Sequence, residues 1–250
     1  MSNSTLLSSN AKLEKNNGIE YLITGLSLAP HGIGGYQVCP QATAGCMAAC
    51  VLWFTGRTVM PITRNAMTRR KLFLVKEPAL FEERLRRDIE RHIHSATIAD
   101  LKPAVRLNVA SDLDWSHIAR DYPNARFYDY TKVKRRLTDP TWPANYELTY
   151  SHNERSHWRT SRAQLERGGN VAAVFSTRYH PQSGRIDVLP ESWTIGRREF
   201  AVIDGDKSDV RLREADGAGV IVGLRFKGSL KRRHAAINNG FCLDVTGQRA

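Results

Sequence analysis

Sulfur is scarce in this chain, with 4 cysteines among 250 residues. That is too few for a disulfide framework, and three of them lie too close together to staple distant loops. The protein therefore reads as one of a reducing, cytoplasmic compartment. Long apolar runs are missing too. No uninterrupted stretch approaches membrane-spanning length, and Met1–Asn10 has no basic region leading into an apolar one. Both features argue against a signal peptide and against a membrane partner. Acid is the third shortage: 25 Asp+Glu face 37 Lys+Arg, a formal charge of +12. Such a surplus attracts polyanions, so nucleic acid or a nucleotide is the expected partner. There is no repeat, and no low-complexity tract past residue 10.

What is present supports a core. The hydrophobic content of 41% is ample, and α/β barrels of this length commonly stay single domains. Residues 1–17, rich in Ser and Asn, read as a disordered tail, and 18–250 as one α/β domain. Tyr21–Leu28 predicts a strand. From Pro61 the pattern turns helical, and Pro78 opens a second helix. There Phe81, Leu85, Ile89 and Ile93 recur at steps of four. Glu82 and Glu83 are expected in its first turn, where the helix dipole favours acid. Its other face carries Arg84, Arg86, Arg87 and Arg91, either a solvated face or a nucleic-acid contact.

Short apolar strands then recur, at Val105–Val109, Arg126–Tyr130, Tyr146–Tyr150, Val171–Phe175, Phe200–Ile203 and Val220–Leu224, each running into polar side chains. Glu154–Arg167 predicts a helix stopped by Gly168-Gly169. Residues 179–199 read as an excursion from the core. Strand, polar loop, helix, strand is the grammar of a parallel α/β fold, so the expectation is a parallel β/α barrel, closed or open, with its site at the carboxyl ends of the strands.

Cys39, Cys46 and Cys50 form a C-x6-C-x3-C loop after the first strand and a glycine-rich approach. Gathered thiolates suggest a soft metal or an iron–sulfur cluster. Zinc would need a fourth ligand from afar, with His31, Cys242 or a carboxylate as candidates. Three unrelated buried cysteines are the plain alternative. Cys242 reads as a core residue. Among the acids, Asp112 and Asp204 stand nearest strand ends and are candidate site groups, while Asp114 and Asp209 read as caps or surface ion pairs. His152 reads as an ordinary hydrogen-bonded residue. Lys132 and Lys227 could hold a phosphate or carboxylate. Gly34 and Gly35 lie in a loop that is not a dinucleotide fingerprint but lets the backbone approach a bound group. With Ser111, Asp206 and Lys227 they complete the candidate cofactor-binding set.

Leu26–Pro30 with Val38-Cys39-Pro40 and Gly45-Cys46, Val105–Asn108 with Ser111-Asp112, Phe127–Lys132, and Val202–Asp206 with Val222–Leu224 and Lys227-Gly228 together resemble the bacteriophage gene product 88 family. The resemblance runs from about Ile23 to Lys231 and implies a phage-type origin, hence host cytoplasm. More distantly, the chain is similar to radical-SAM-like phage proteins, which have a cysteine triplet after the first strand and strands ending in Ser/Asp, in Thr-Lys and near a Glu. That likeness implies a [4Fe–4S] cluster on Cys39, Cys46 and Cys50, S-adenosylmethionine as co-substrate, and an electron donor. Asp112, Lys132, Glu154 and Asp204 would line the site. The usual spacing there is C-x3-C-x2-C, from which this loop departs. Two alternatives stand beside it: a zinc-containing barrel transglycosylase exchanging DNA bases through Asp112 or Asp204, and a non-catalytic, zinc-stapled nucleic-acid-binding protein.

Overall fold

A computed structural model describes residues 5–9, 13, 20–156, 158–178 and 187–245. The chain forms a mixed α/β structure around a ten-stranded, mostly parallel sheet that does not close. In chain order the strands are β1 (Leu7–Ser8), β2 (Tyr21–Leu26), β3 (Lys102–Arg106), β4 (Arg126–Thr131), β5 (Tyr146–Ser151), β6 (Val171–Arg178), β7 (Ser192–Ile195), β8 (Arg198–Asp204), β9 (Ile221–Phe226) and β10 (Cys242–Leu243). They lie in the order β1-β2-β3-β4-β5-β6-β9-β8-β7, with β10 beside β6. Pairing is parallel from β2 through β6, β9 and β8, and antiparallel only for β1 on β2 and β7 on β8. All seven expected strands are present. The one after the helices is Lys102–Arg106, earlier than expected, because the chain turns at Leu107.

Alternation along each strand gives the sheet two different faces. Val105, Phe127 and Tyr146 point to one face. There they pack with Phe81, Leu85 and Ile89 of the long helix α4 (Pro78–Ile98) and with Ile118 and Ala119 of α5 (Ser116–Arg120). Tyr21, Ile23, Ala104 and Tyr128 point to the other face, where Val210 and Leu212 cover them. Helix α3 (Pro61–Lys76), like α4, opens on a proline at its first position, where the missing N–H breaks no bond. Glu82 and Glu83 lie one turn further in than expected. They act through i,i+4 pairs, Glu82 with Arg86 and Glu83 with Arg87, and not through the helix dipole.

Three other expectations change. Residues 5–9 are not tail: Leu6 and Leu7 are buried, β1 pairs with β2, and the Leu6 and Leu7 amides donate to the buried Asp88 carboxylate of α4, at 2.6 and 3.2 Å. The helix expected from Glu154 starts later, as α6 (Arg159–Glu166), although Gly168 at φ +78 stops it as expected. The excursion over 179–199 is sheet from Ser192 onward. Trp193 of β7 is buried against Phe175, ring centroids 5.2 Å apart, and residues 179–186 lie outside the described residues. Asp209 is no surface group but a fully buried acid, receiving Arg106 from the end of β3 at 2.8 and 2.9 Å. No described helix is long and apolar enough to cross a membrane.

Removing the carboxylate of Asp88 strands two buried amides, so Asp88→Ala is expected to cost about 1–3 kcal/mol. It should also speed hydrogen exchange at Leu6 and Leu7. Denaturant titration and amide exchange read both effects; unchanged exchange at those amides would mean that β1 is held some other way.

Candidate metal centre

All three clustered cysteines lie at the carboxyl end of the parallel strands, on the loop leaving β2. Val38 anchors the loop by accepting the Asp112 amide at 2.8 Å. Cys39 then packs against the helical core, and its sulfur accepts the His31 amide at 3.2 Å. Cys46 sits in a short helix, α1 (Ala44–Ala48), and faces the small cluster of Phe226, Ala236, Phe241 and Cys242. Cys50 precedes α2 (Val51–Phe54). Beyond the four-residue α7 (Arg213–Asp216), the last described helix, α8 (Leu230–Asn238), closes over this region: Arg232 donates to the Ala48 carbonyl at 2.7 Å and lies 3.6 Å above the Phe54 ring.

A parting in the sheet makes room for α1. Strands β5 and β6 pair at Tyr150–Val171 and Ser151–Ala172, after which β10 takes the place of β5 beside Val174 and Phe175. Glu154, just past β5, reaches into the gap. One of its oxygens accepts the Gly45 amide at 2.8 Å and the other the Thr43 hydroxyl at 2.7 Å. Thr43 in turn accepts the Cys46 amide, so Glu154 and Thr43 together cap α1. Gly45 is required here, because a Cβ would stand 2.8 Å from Phe241 and 2.9 Å from the Glu154 carboxylate.

The thiols lie within electrostatic reach of one another and of Lys132. Burial, with smaller contributions from neighbouring thiols, pushes Cys39 up to about 11 and Cys50 up to about 12. For Lys132, burial works against the charge, but Cys46, Asp112 and Cys39 outweigh it and raise its pKa; the ammonium donates to the Ser151 hydroxyl at 2.8 Å. Among the described residues, no three His, Cys, Asp or Glu side chains converge as they would on a single metal ion.

The remaining candidates divide. Asp112 belongs to this site, but both its oxygens are engaged: Thr131 and Arg136 donate to one at 2.8 Å, and the Lys132 amide to the other at 2.9 Å. These three bonds tie the rim together, with Oδ2 taking the Lys132 amide alone. Ser111 donates to Asn108 and builds the turn after β3. Gly34 and Gly35 take positive φ in an exposed turn, tied down where buried Lys71 donates to the His31 and Ile33 carbonyls at 2.5 and 2.6 Å. Asp204, Asp206 and Lys227 form a separate cluster at the ends of β8 and β9. Arg225 grips Asp204 through two bonds of 2.7 and 3.0 Å, and Lys227 holds Asp206 at 2.7 Å. Burial alone would raise both acids, yet these cations hold them below the usual carboxylate range. His152 is buried and bonded to Ser161, and burial first, then Lys132, lowers it to about 4. Cys242 is a core residue, its thiol pushed up to about 12 by burial.

Sequence reading missed Arg136, Ser151 and Lys71 as parts of this site. Nothing local marks them, since each meets its partner across the fold. A family model described as Gene product 88 matches residues 4–245. Neither curated proteins nor solved structures return a match. With the motifs in order along almost its whole length, the chain belongs to the gene product 88 family.

Proposed function

We propose that this protein is an iron–sulfur enzyme of radical-SAM-like type acting on nucleic acid or a nucleotide, with Cys39, Cys46 and Cys50 holding the cluster. One observation carries the reading: three thiols share an electrostatic neighbourhood with the Lys132 ammonium at the carboxyl ends of parallel strands, where α/β folds place their sites. Thiolate donors suit an iron–sulfur cluster and zinc alike, but the two ask for different placements of the sulfurs. A single ion needs its ligands to converge on one point, whereas a cubane spreads three thiolates over separate corners and keeps one iron open. When bound, such a cluster supplies one electron at a time, from an external donor, for cleaving S-adenosylmethionine. The sequential order of neighbours from β2 to β6 supports an open relative of the β/α barrel.

The residues around the thiols have definable work. Lys132 places positive charge beside sulfurs that lose their protons on binding metal, and so offsets the charge of the loaded centre. Asp112 and Arg136 hold the Lys132 backbone, and Glu154 with Thr43 holds the helix that carries Cys46. The transglycosylase alternative is weaker, because Asp112 and Asp204 are both committed to arginines and neither presents a free oxygen as nucleophile.

Protein purified without oxygen should carry about four iron and four sulfide per chain and be brown. Cys46→Ala should lose both while staying folded. Stoichiometric zinc without iron would overturn the cluster, as would full iron content in Cys46→Ala.

Lys132→Met should still load iron, but its cluster should have a more negative midpoint potential, since a nearby cation stabilises the reduced form. Lys132→Arg should restore the native value. A redox titration followed by electron paramagnetic resonance distinguishes these outcomes, and an unmoved potential in Lys132→Met would remove Lys132 from the centre.

A further inference from the structure

The basic surplus is not equally available everywhere. On α4 the arginines are engaged: Arg86 with Asp121 and Glu82, Arg87 with Glu83, Arg91 with Asp88, and Arg84 at 5.1 Å over the Phe73 ring. That face is largely ion-paired within the protein, which leaves less of its charge open to a polyanion. The situation is different across the rim. A cleft of about 350 Å³ opens between the 3-10 turn Lys134–Thr138 and α6. Lys134, Arg135, Arg159 and Arg167 line it, with the hydroxyls of Thr138 and Thr160, and no acidic residue does.

These four cations are exposed, and among the described residues none is in an ion pair. Arg167 reaches Gln164, a neutral amide, at 2.9 Å. An acid within electrostatic reach is Asp139, whose carboxylate is held first by Thr141 and only in small part by Arg120 and Arg135. Four like charges facing one cleft repel each other, and a ligand that carries several negative charges relieves that repulsion. Guanidinium groups also match phosphate oxygens in geometry, and hydroxyls add neutral donors.

Position links the cleft to the thiols. Lys134 follows Lys132 by two residues at the end of β4, and Arg159 follows Glu154 by five at the end of β5. Both walls are thus continuations of the strand ends that build the metal centre. We propose that this cleft binds the phosphodiester backbone of a nucleic-acid strand and presents that strand to the cysteine rim. The presentation step rests on the enzymatic reading above, whereas the docking does not.

Fluorescence anisotropy of a labelled single-stranded oligonucleotide, titrated with metal-free protein at several salt concentrations, tests the docking. Replacing Lys134, Arg135, Arg159 and Arg167 together by Ala should weaken binding by roughly tenfold or more and flatten the log–log salt slope by more than about 1. The charge-preserving variant Lys134→Arg with Arg135→Lys should bind like the native protein, and Arg84→Ala with Arg87→Ala should change little. The four cleft side chains and Arg87 are exposed and Arg84 is half-buried, so native-like circular dichroism and melting are expected throughout. Unchanged affinity in the four-residue variant would overturn the proposal, and so would a loss matched by the α4 variant. A mononucleotide competing as strongly as the oligonucleotide would also overturn it, making the cleft a site for single nucleotides. Iron content distinguishes the two ideas: the cleft variant should keep iron while losing the strand, and Cys46→Ala should keep the strand while losing iron.

Discussion

A buried carboxylate at the end of β3 holds this molecule's rim in shape. Asp112 ties three segments that are distant in sequence: its amide fixes Val38 beside Cys39, one oxygen takes the Thr131 hydroxyl and Arg136, and the other takes the Lys132 amide. Its side chain and that of Arg136 are 10% and 7% exposed. Stripping either partner from such a pair leaves an uncompensated charge, a loss of about 3–5 kcal/mol. The cysteine loop and Lys132 therefore take their relative positions from this one acid. A second clamp works from the opposite side, where Glu154 and Thr43 set the start of α1 and so the place of Cys46.

Charge balance connects these clamps to the proposed activity. Asp112 is matched by Arg136, which leaves the Lys132 ammonium to the thiols and Ser151. Burial raises the Cys39 and Cys50 thiols, so in the proposed centre Lys132 is the cation set beside sulfurs that lose protons on metal binding. The same logic sorts the arginines. Arg86, Arg87 and Arg91 of α4 neutralise acids on their own helix and on a neighbouring segment, while those beside α6 face one another across a cleft. Net charge alone would have treated the two groups alike.

Much of the architecture was legible because strands buried on both faces of a parallel sheet must be short, apolar and regularly spaced, and Val171–Phe175 or Val220–Leu224 carry that pattern openly. The prolines at 61 and 78 and the glycine at 168 marked helix ends for equally local reasons. Short elements were missed. Neither β10 nor α8 contains enough residues for its period to stand out, and Leu7–Ser8 is a strand only because Asp88 and β2 receive it.

The role of each acid lay beyond the linear chain. Asp112, Asp204 and Asp209 look alike as carboxylates following apolar runs, yet their partners Arg136, Arg225 and Arg106 come from 24, 21 and 103 residues away. A hydrogen bond depends on distance in space, and residue order is silent about it at such separations. The three thiols, in contrast, lie on one short segment, C-x6-C-x3-C, so the residue order alone displays them as a group. Local spacing and hydrophobic period thus specify the strands and the sulfur loop. Long-range folding settles whether the sheet closes, which acids are spent on arginines, and which cations stay open to a ligand.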